Sequence, residues 1–246
     1  MFAGRGFLTL EAFFGFSTGS WFFKQFGFKY FLHEVVFLKV GVLGTGNMGS
    51  ALAKQLARAK HEVIVGSRDV EKARRMAKPL GKKCCGASYE EAVAQADVVV
   101  LAVPYAQAES VLMPLQGALN GKVVVDITNP LNADFSGLVV GHTSSAAEEI
   151  QKRVPNARVV KAFNHVFAPV LANAHKWKSK KPSVFICGND LEAKQTVQKL
   201  VKDIGFVPVD AGPLQAARYI EPAAFLMVAL AYGQKMGPKY ALKLVK

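Results

Sequence analysis

Short, largely apolar runs alternate with segments of helical periodicity along most of the chain. Such runs are typical of strands that are buried on both faces of a parallel sheet. They occur at residues 38–43, 62–66, 83–87, 97–103, 123–127, 158–163, 183–187 and 206–209. Apolar residues spaced three or four positions apart predict helices at residues 45–59, 70–78, 89–96, 145–153 and 191–204.

Strands that alternate with helices of this length predict an α/β fold. The expected architecture is a Rossmann-type doubly wound parallel sheet with a small C-terminal helical portion. In such folds ligands bind beyond the carboxyl ends of the strands, at the point where the strand order reverses. The loops that follow the strands are therefore the predicted functional site.

The first 38 residues differ from the rest, because they hold 11 of the 17 phenylalanines and show no clear periodicity. Glu11 interrupts the apolar run that a signal peptide or a membrane span needs, and a transit peptide would be richer in arginine. We interpret residues 1–37 as an aromatic extension that binds a membrane surface or a partner, or as upstream sequence translated from a misplaced start. Residues 38–165 are then the predicted nucleotide-binding domain, and residues 166–246 complete a cleft for a second substrate.

The sequence GTGNMG at residues 44–49 joins the first predicted strand to the first predicted helix. Gly44 permits a tight turn, Gly46 lets the backbone approach a pyrophosphate, and Gly49 allows the helix to pack closely on the strand. The N-terminus of the helix offers N–H groups and a partial positive charge to the phosphates. A glycine loop in this position predicts dinucleotide binding.

The end of the second predicted strand indicates which dinucleotide is bound. NAD-binding units place Asp or Glu there, where the carboxylate bonds to the ribose hydroxyls. Here the strand ends in Gly66, Ser67 and Arg68, and no acid occurs before Asp69. Because serine donates a hydrogen bond and arginine carries a permanent charge, we predict NADP(H), whose 2′-phosphate both would bind. The alternative is that Arg68 begins the next helix and points to solvent.

Lysine and arginine outnumber aspartate and glutamate by 31 to 18, which gives a formal net charge of +13. A positive surface attracts anions, and phosphorylated cofactors, acidic small molecules and nucleic acid all qualify. The basic cluster around Trp177 is interpreted as a solvated loop, so no nucleic-acid partner is predicted. The three cysteines form neither a disulfide framework nor a metal-ligand spacing, which favours a reducing, cytoplasmic setting and no bound metal.

Further sequence blocks follow the glycine loop, namely VGSRD at 65–69, DITNPL at 126–131, VVKAFN at 159–164, VFICGND at 184–190 and DAGPL at 210–214. With these blocks in order, residues 38–246 resemble the coenzyme F420-dependent NADP oxidoreductase family. They are similar also to the NADPH-oxidoreductase domain of the STEAP metalloreductases. Several spaced motifs together are far more specific than a glycine loop alone.

The resemblance implies that hydride passes between NADPH and the ring of a deazaflavin or flavin, such as F420, FMN or FAD. It implies pyrophosphate contacts from Thr45, Asn47 and Met48, and 2′-phosphate contacts from Ser67 and Arg68. The archaeal F420 enzymes carry a histidine where this chain has an asparagine at position 164, so the acceptor stays open. The expected partner is thus a small-molecule redox acceptor.

The positions that the resemblance implies near the two rings are Asn129, Pro130, Ala162, Asn164 and His165. Val103, which ends the fourth predicted strand, and Pro104, which follows it, are further candidates for coenzyme binding. Hydride transfer between two planar rings depends mainly on their positioning. We therefore expect Asn164 to orient a ring edge and His165 to donate a proton or to bond the ring, the alternative for His165 being a structural role.

Other interpretations stay open. The chain is alternatively a soluble NADPH-dependent reductase of flavins or of ferric or cupric ions, or a non-enzymatic NADP(H)-binding or sensing protein.

The apolar run at residues 223–232 is too short to span a membrane and predicts core or a homodimer surface. Asp126 is expected to bond to the loop after its strand. Arg218 and Glu221, three positions apart, predict an ion pair within a helix or at an interface, or else an anion site.

Overall fold

The computed structural model describes residues 37–245 of the chain. Both interpretations of the extension concern residues that lie outside this range, apart from Phe37, so they stay predictions. The boundary proposed between residues 165 and 166 also stays a prediction, and one sheet contains strands from both sides of it.

The strands of this sheet are β1 (Lys39–Leu43), β2 (Glu62–Gly66), β3 (Cys84–Ala87), β4 (Val98–Leu101), β5 (Val123–Asp126), β6 (Arg158–Lys161), β7 (Ser183–Gly188) and β8 (Val207–Asp210). The α-helices of the described residues are α1 (Asn47–Arg58), α2 (Val70–Ala77), α3 (Tyr89–Gln95), α4 (Tyr105–Leu112), α5 (Ala146–Arg153), α6 (Ala168–Ala172), α7 (Leu191–Asp203) and α8 (Ala217–Val228). The predicted strands and the longer predicted helices are all present, with ends shifted by a few residues.

The strand order across the sheet is β3-β2-β1-β4-β5-β6-β7-β8, and β1 to β6 are parallel. The order reverses between β1 and β4, which are neighbours although two strands separate them in the chain. This arrangement confirms the doubly wound α/β fold. It also places the loop after β1 at the reversal point, where ligands bind in such sheets.

The prediction of an entirely parallel sheet is wrong for the last two strands. β7 runs antiparallel to β6, with Lys161 opposite Cys187, and β8 is parallel to β7. The cause is the connection after β6, which does not cross back along the sheet. His165, four residues beyond β6, already contacts Ser183 at the start of β7. A strand that begins at the carboxyl end of its neighbour must run in the opposite direction.

Both faces of the sheet are covered. Val40 and Val42 of β1 point to one apolar cluster, whereas Leu43 points to a second cluster on the other face. Similarly, Val98 and Val100 of β4 lie in the first cluster, while the residues between and after them lie in the second. Burial on both faces is why these strands are continuous apolar runs in the sequence.

The C-terminal portion is helical, as predicted. α8 continues into a single wider turn of π-helix at Ala229–Gly233. Within residues 37–245, none of the helices has both the length and the apolar character needed to cross a bilayer.

Candidate active site

The loop between β1 and α1 has the geometry for which its glycines are suited. Gly44 has φ +129°, and a Cβ atom there would overlap the carbonyl oxygen of Ala102. A Cβ atom on Gly49 would overlap the carbonyl oxygen of Gly44, so only glycine lets α1 pack this close. At Gly46, by contrast, a Cβ atom would meet nothing within 4 Å, which leaves space for a ligand above the start of α1.

The start of α1 is suited to an anion. Its N-cap, Gly46, contributes no side-chain hydrogen bond, and the first turn contains no acidic residue. The first N–H groups of the helix and the positive end of its dipole thus face the loop without a competing carboxylate. Asn47 is exposed at the first helical position, and Met48 packs partly against the core.

Ser67 and Arg68 lie at the end of β2, the serine buried and the arginine exposed. The carboxylate of Asp69 accepts a hydrogen bond from the N–H of Lys72 at 2.9 Å and so caps α2. In the part of the chain that the structure describes, Arg68 forms no ion pair with a carboxylate, whereas Asp69 lies 4.0 Å from Arg75. The guanidinium is therefore available to an added anion.

A cavity of about 310 Å³ brings the ends of β1, β2 and β4 together. The predicted site residues that line it are Gly44, Thr45, Gly46, Ser67, Arg68, Val103 and Pro104. The sequence analysis missed Lys72, Tyr89 and Gln107, which also line it. Each of the three lies in the first turn of a different helix, so no local sequence pattern connects them. Burial raises the pKa of the Tyr89 phenol, and the neighbouring Arg68 guanidinium partly offsets this.

Asn129 and Asn164 form a reciprocal pair beyond the ends of β5 and β6. The side-chain nitrogen of Asn129 donates to the backbone oxygen of Asn164 at 2.7 Å. The side-chain nitrogen of Asn164 donates to Oδ1 of Asn129 at 3.0 Å. Pro130 and Ala162 are buried beside them. The structure thus brings together four of the positions expected near the rings, although none of them lines the 310 Å³ cavity.

His165 is 3% exposed, and its Nδ1 lies 3.4 Å from Oδ1 of Asn164. Its Nε2 lies 3.2 Å from the backbone oxygen of Ser183, and its ring packs against Phe185 with 5.1 Å between centroids. Burial lowers the pKa of the imidazole to about 4. A neutral, enclosed ring bonded to the backbone favours the structural alternative for His165 over proton donation.

A buried lysine, which the sequence analysis did not assign, connects the carboxyl ends of β5 and β6. Nζ of Lys161 lies 2.8 Å from Oδ2 of Asp126, 2.8 Å from Oε1 of Glu221 and 2.7 Å from the backbone oxygen of Thr128. Glu221 also accepts hydrogen bonds from the first two N–H groups of α5. We call Lys161, Asp126 and Glu221 the buried ionic network. The sequence signal that could have revealed this network is the presence of a lysine within the largely apolar run 158–163.

Of the ion pairs expected for Arg218 and Glu221, the one within the helix is wrong, and each residue instead pairs with another element. Arg218 is partly exposed and pairs with Glu148 of α5 at 2.7 Å, whereas Glu221 is 1% exposed and pairs with Lys161. The expected bond from Asp126 to the following loop is confirmed, because its Oδ1 accepts from the N–H of Thr128 at 2.8 Å.

A second cavity, of about 600 Å³, is lined by residues from the segments after β5 and β6 and by α8. Its lining is mostly apolar and consists of Leu131, Phe135, Ser136, Phe167, Phe225, Val228, Ala229, Tyr232 and Gly233. Leu131 is two residues beyond Asn129, and Phe167 is three residues beyond Asn164. The remaining lining comes from α8 and the turn after it, where the apolar run 223–232 lies. The loops that carry the asparagine pair thus also contribute to the lining of this cavity.

A doubly wound sheet with a glycine loop at its reversal point defines the class of dinucleotide-binding proteins. Residues 39–130 match the family model described as NADP oxidoreductase, coenzyme F420-dependent. The F420-dependent NADP reductase of Methanocaldococcus jannaschii is 33% identical over an alignment of 208 residues, which covers 78% of this chain and 92% of the archaeal protein. The chain belongs to this family of NADP-dependent oxidoreductases.

Two further relatives are similar to this chain. A crystal structure from Arthrobacter sp. FB24, assigned as an F420-dependent NADP-reductase, superposes with a TM-score of 0.77 and 30% identity, covering 85% of this chain and 100% of that one. The metalloreductase STEAP3 of Rattus norvegicus is 35% identical over 183 residues, which are 74% of this chain and 36% of the rat protein. The chain therefore spans about a third of the length of that relative.

Proposed function

We propose that this oxidoreductase transfers hydride between NADPH and the deazaflavin F420. The observation that carries the proposal is the 310 Å³ cavity, which joins the glycine loop to Ser67 and Arg68. The N–H groups at the start of α1 would hold the pyrophosphate. Ser67, Arg68 and Lys72 would hold the 2′-phosphate, for which a hydroxyl, a planar charged fork and an ammonium are all suitable donors.

The asparagine pair is the candidate for orienting the reacting end of the coenzyme. When bound, the nicotinamide supplies the hydride chemistry itself. Asn129 and Asn164 bond to each other, yet each side-chain nitrogen keeps a second N–H and each oxygen a second lone pair. Those groups can bind the carboxamide of a nicotinamide. The asparagines would thus orient the ring without taking part in bond making. Hydride transfer requires mainly this positioning of the two rings.

The 600 Å³ cavity is the proposed acceptor site. Its lining carries no charged side chain, so it would exclude water and favour a planar conjugated ring over a hydrated ferric or cupric ion. FMN or FAD would meet the same ring pocket. F420 is preferred because the archaeal relative, of which this chain covers 92%, is named for it.

An acceptor panel tests this function. NADPH oxidation is followed at saturating coenzyme with F420, FMN, FAD or a ferric chelate, and then with NADH in place of NADPH. We expect F420 to be reduced fastest, and with NADPH in preference to NADH. A protein that binds NADPH and reduces none of these acceptors would be the non-enzymatic binding or sensing protein instead.

A pair of variants on α8 tests the acceptor site itself. Val228→Glu places a charge in the cavity. It should raise the KM for the acceptor at least about tenfold, because the ring could bind there only by desolvating the carboxylate. Leu226→Glu is the matched control, since this residue is 58% exposed and does not line the cavity. The NADPH dissociation constant should stay unchanged in both. Equal effects of the two variants would contradict this location for the acceptor.

A further inference from the structure

The buried ionic network joins three elements that meet beside the proposed site. Lys161 ends β6, Asp126 ends β5, and Glu221 lies on α8. The lysine ammonium uses all three of its donors, on two carboxylates and one backbone oxygen. Each carboxylate accepts further backbone N–H groups, so every member is satisfied. A fully connected network of this kind makes its surroundings rigid.

The network fixes two segments that form the site. Thr128 is held at both of its backbone groups, since its N–H donates to Asp126 at 2.8 Å and its oxygen accepts from Lys161 at 2.7 Å. Asn129 is the next residue, and its orientation follows from that of Thr128. On the other side, Glu221 precedes Phe225 of the acceptor cavity by one helical turn.

Stability alone accounts poorly for this arrangement. Three charged groups must be desolvated, and apolar residues of the same volume commonly hold a core together equally well or better. Two carboxylates and one ammonium also leave one negative charge in excess, which the N-terminus of α5 offsets. Apolar packing has no direction, however, whereas these hydrogen bonds fix the Thr128 backbone at particular atoms.

We propose that Lys161 is a positioning residue for hydride transfer. By holding the backbone oxygen of Thr128, it sets the orientation of Asn129 and so of the asparagine pair that faces the nicotinamide. Lys161 is 0% exposed and acts through Thr128 rather than on the coenzyme. This inference rests on the proposed function, from which the binding experiment below separates it.

Binding of two nucleotides is compared in order to distinguish the adenosine end of the coenzyme from its nicotinamide end. Adenosine 2′,5′-bisphosphate carries the 2′-phosphate and lacks the nicotinamide, whereas NADPH carries both. We expect wild-type protein to bind NADPH more tightly than the bisphosphate. The ratio to measure is the dissociation constant of the bisphosphate divided by that of NADPH. In the triple variant Lys161→Met, Asp126→Asn, Glu221→Gln, this ratio should fall about tenfold, because the nicotinamide end loses an oriented hydrogen bond. Affinity for the bisphosphate should not change.

The triple variant is used because Lys161→Met alone leaves two buried carboxylates without a cation and is prone to unfold. Its three replacements are neutral and of similar shape, and circular dichroism with a cooperative thermal melt checks its folding. With an active acceptor, kcat at saturating NADPH should fall about 100-fold, as expected for misplaced reactants, and the KM for NADPH should rise about tenfold with its dissociation constant.

Arg218→Met is the matched control. It breaks the 2.7 Å ion pair with Glu148 between the same two helices, α8 and α5, and leaves Thr128 untouched. The ratio of dissociation constants should stay at the wild-type value. Unchanged ratios in the folded triple variant, an equal fall in Arg218→Met, or a wild-type ratio of one would each overturn the role of Lys161. Wild-type protein that binds neither nucleotide would overturn the proposed function and this inference with it.

Discussion

Arg68 and Asp69 are neighbours in the sequence with different tasks. The carboxylate of Asp69 accepts from the Lys72 N–H and caps α2, so it does not take the place of the ribose-binding acid of NAD-dependent enzymes. The guanidinium of Arg68 stays at the rim of the 310 Å³ cavity. We therefore expect single side chains at the end of β2 to decide which coenzyme is bound.

Arg68→Ala should weaken NADPH binding at least about tenfold, because a charge-assisted hydrogen bond to the 2′-phosphate is lost. NADH has no such phosphate, and its dissociation constant should change less than about twofold. Fluorescence titration with both nucleotides measures the difference. Arg74→Ala is the control, since Arg74 lies nearby on α2, does not line the cavity and pairs with Glu71 at the surface. Equal loss for NADPH and NADH would contradict the role of Arg68.

At the scale of elements, the loop between β1 and α1 separates folding from binding. Gly49 is required for close packing, because any Cβ atom there overlaps the Gly44 carbonyl. Gly46 has an ordinary backbone conformation, with φ −79°, and open space above it. Gly49 is therefore needed for the fold, whereas Gly46 leaves space at the proposed nucleotide site.

The two positions should respond differently to alanine. Gly49→Ala should lower the melting temperature by several degrees, corresponding to about 1–3 kcal/mol of overpacking. Gly46→Ala should leave the melting temperature within about one degree and weaken NADPH at least about tenfold, because the methyl group occupies space for the pyrophosphate. Thermal melts and nucleotide titrations of both variants provide the check. Identical behaviour of the two would contradict this division.

Local patterns explain which elements the sequence could predict. Burial on both faces produces apolar runs, so β1, β4 and β5 were readily predicted, and the glycine loop was complete within six residues. Strand direction leaves no such local pattern, so β7 was predicted as a strand but its antiparallel direction was not. The buried ionic network was missed because its members, at positions 126, 161 and 221, meet only through the fold. Asn129 and Asn164 were expected from the family resemblance, but their mutual hydrogen bonds were not.

At the scale of the whole molecule, two buried histidines make stability depend on pH. Burial lowers the pKa of His61, with Asp203 partly opposing, and burial lowers the pKa of His165 to about 4. A histidine in the unfolded chain has a pKa near 6.5, so the unfolded state binds more protons below that pH. The stabilisation is therefore complete above pH 6.5 and is lost as the pH falls towards 4.

His165→Gln should reduce this dependence. Between pH 7 and pH 5, the free energy of unfolding of the wild type should fall by about 2 kcal/mol more than that of the variant. Urea unfolding at both pH values measures the quantity. His175→Gln, at an exposed position, should behave as wild type. Parallel pH profiles for wild type and His165→Gln would contradict a neutral, buried His165.

The side-chain hydroxyl of Thr128 has a further consequence for stability. Its Oγ1 is buried and, among residues 37–245, finds no hydrogen-bond partner. A buried hydroxyl without a partner costs about 1–3 kcal/mol of stability, so the methyl of Thr128→Val should raise the melting temperature by several degrees. Calorimetry of the wild type and the variant, with and without NADPH, then shows whether the bound nucleotide reaches this hydroxyl. A gain that persists at saturation means the nucleotide stops short of the hydroxyl, and a gain that vanishes means contact.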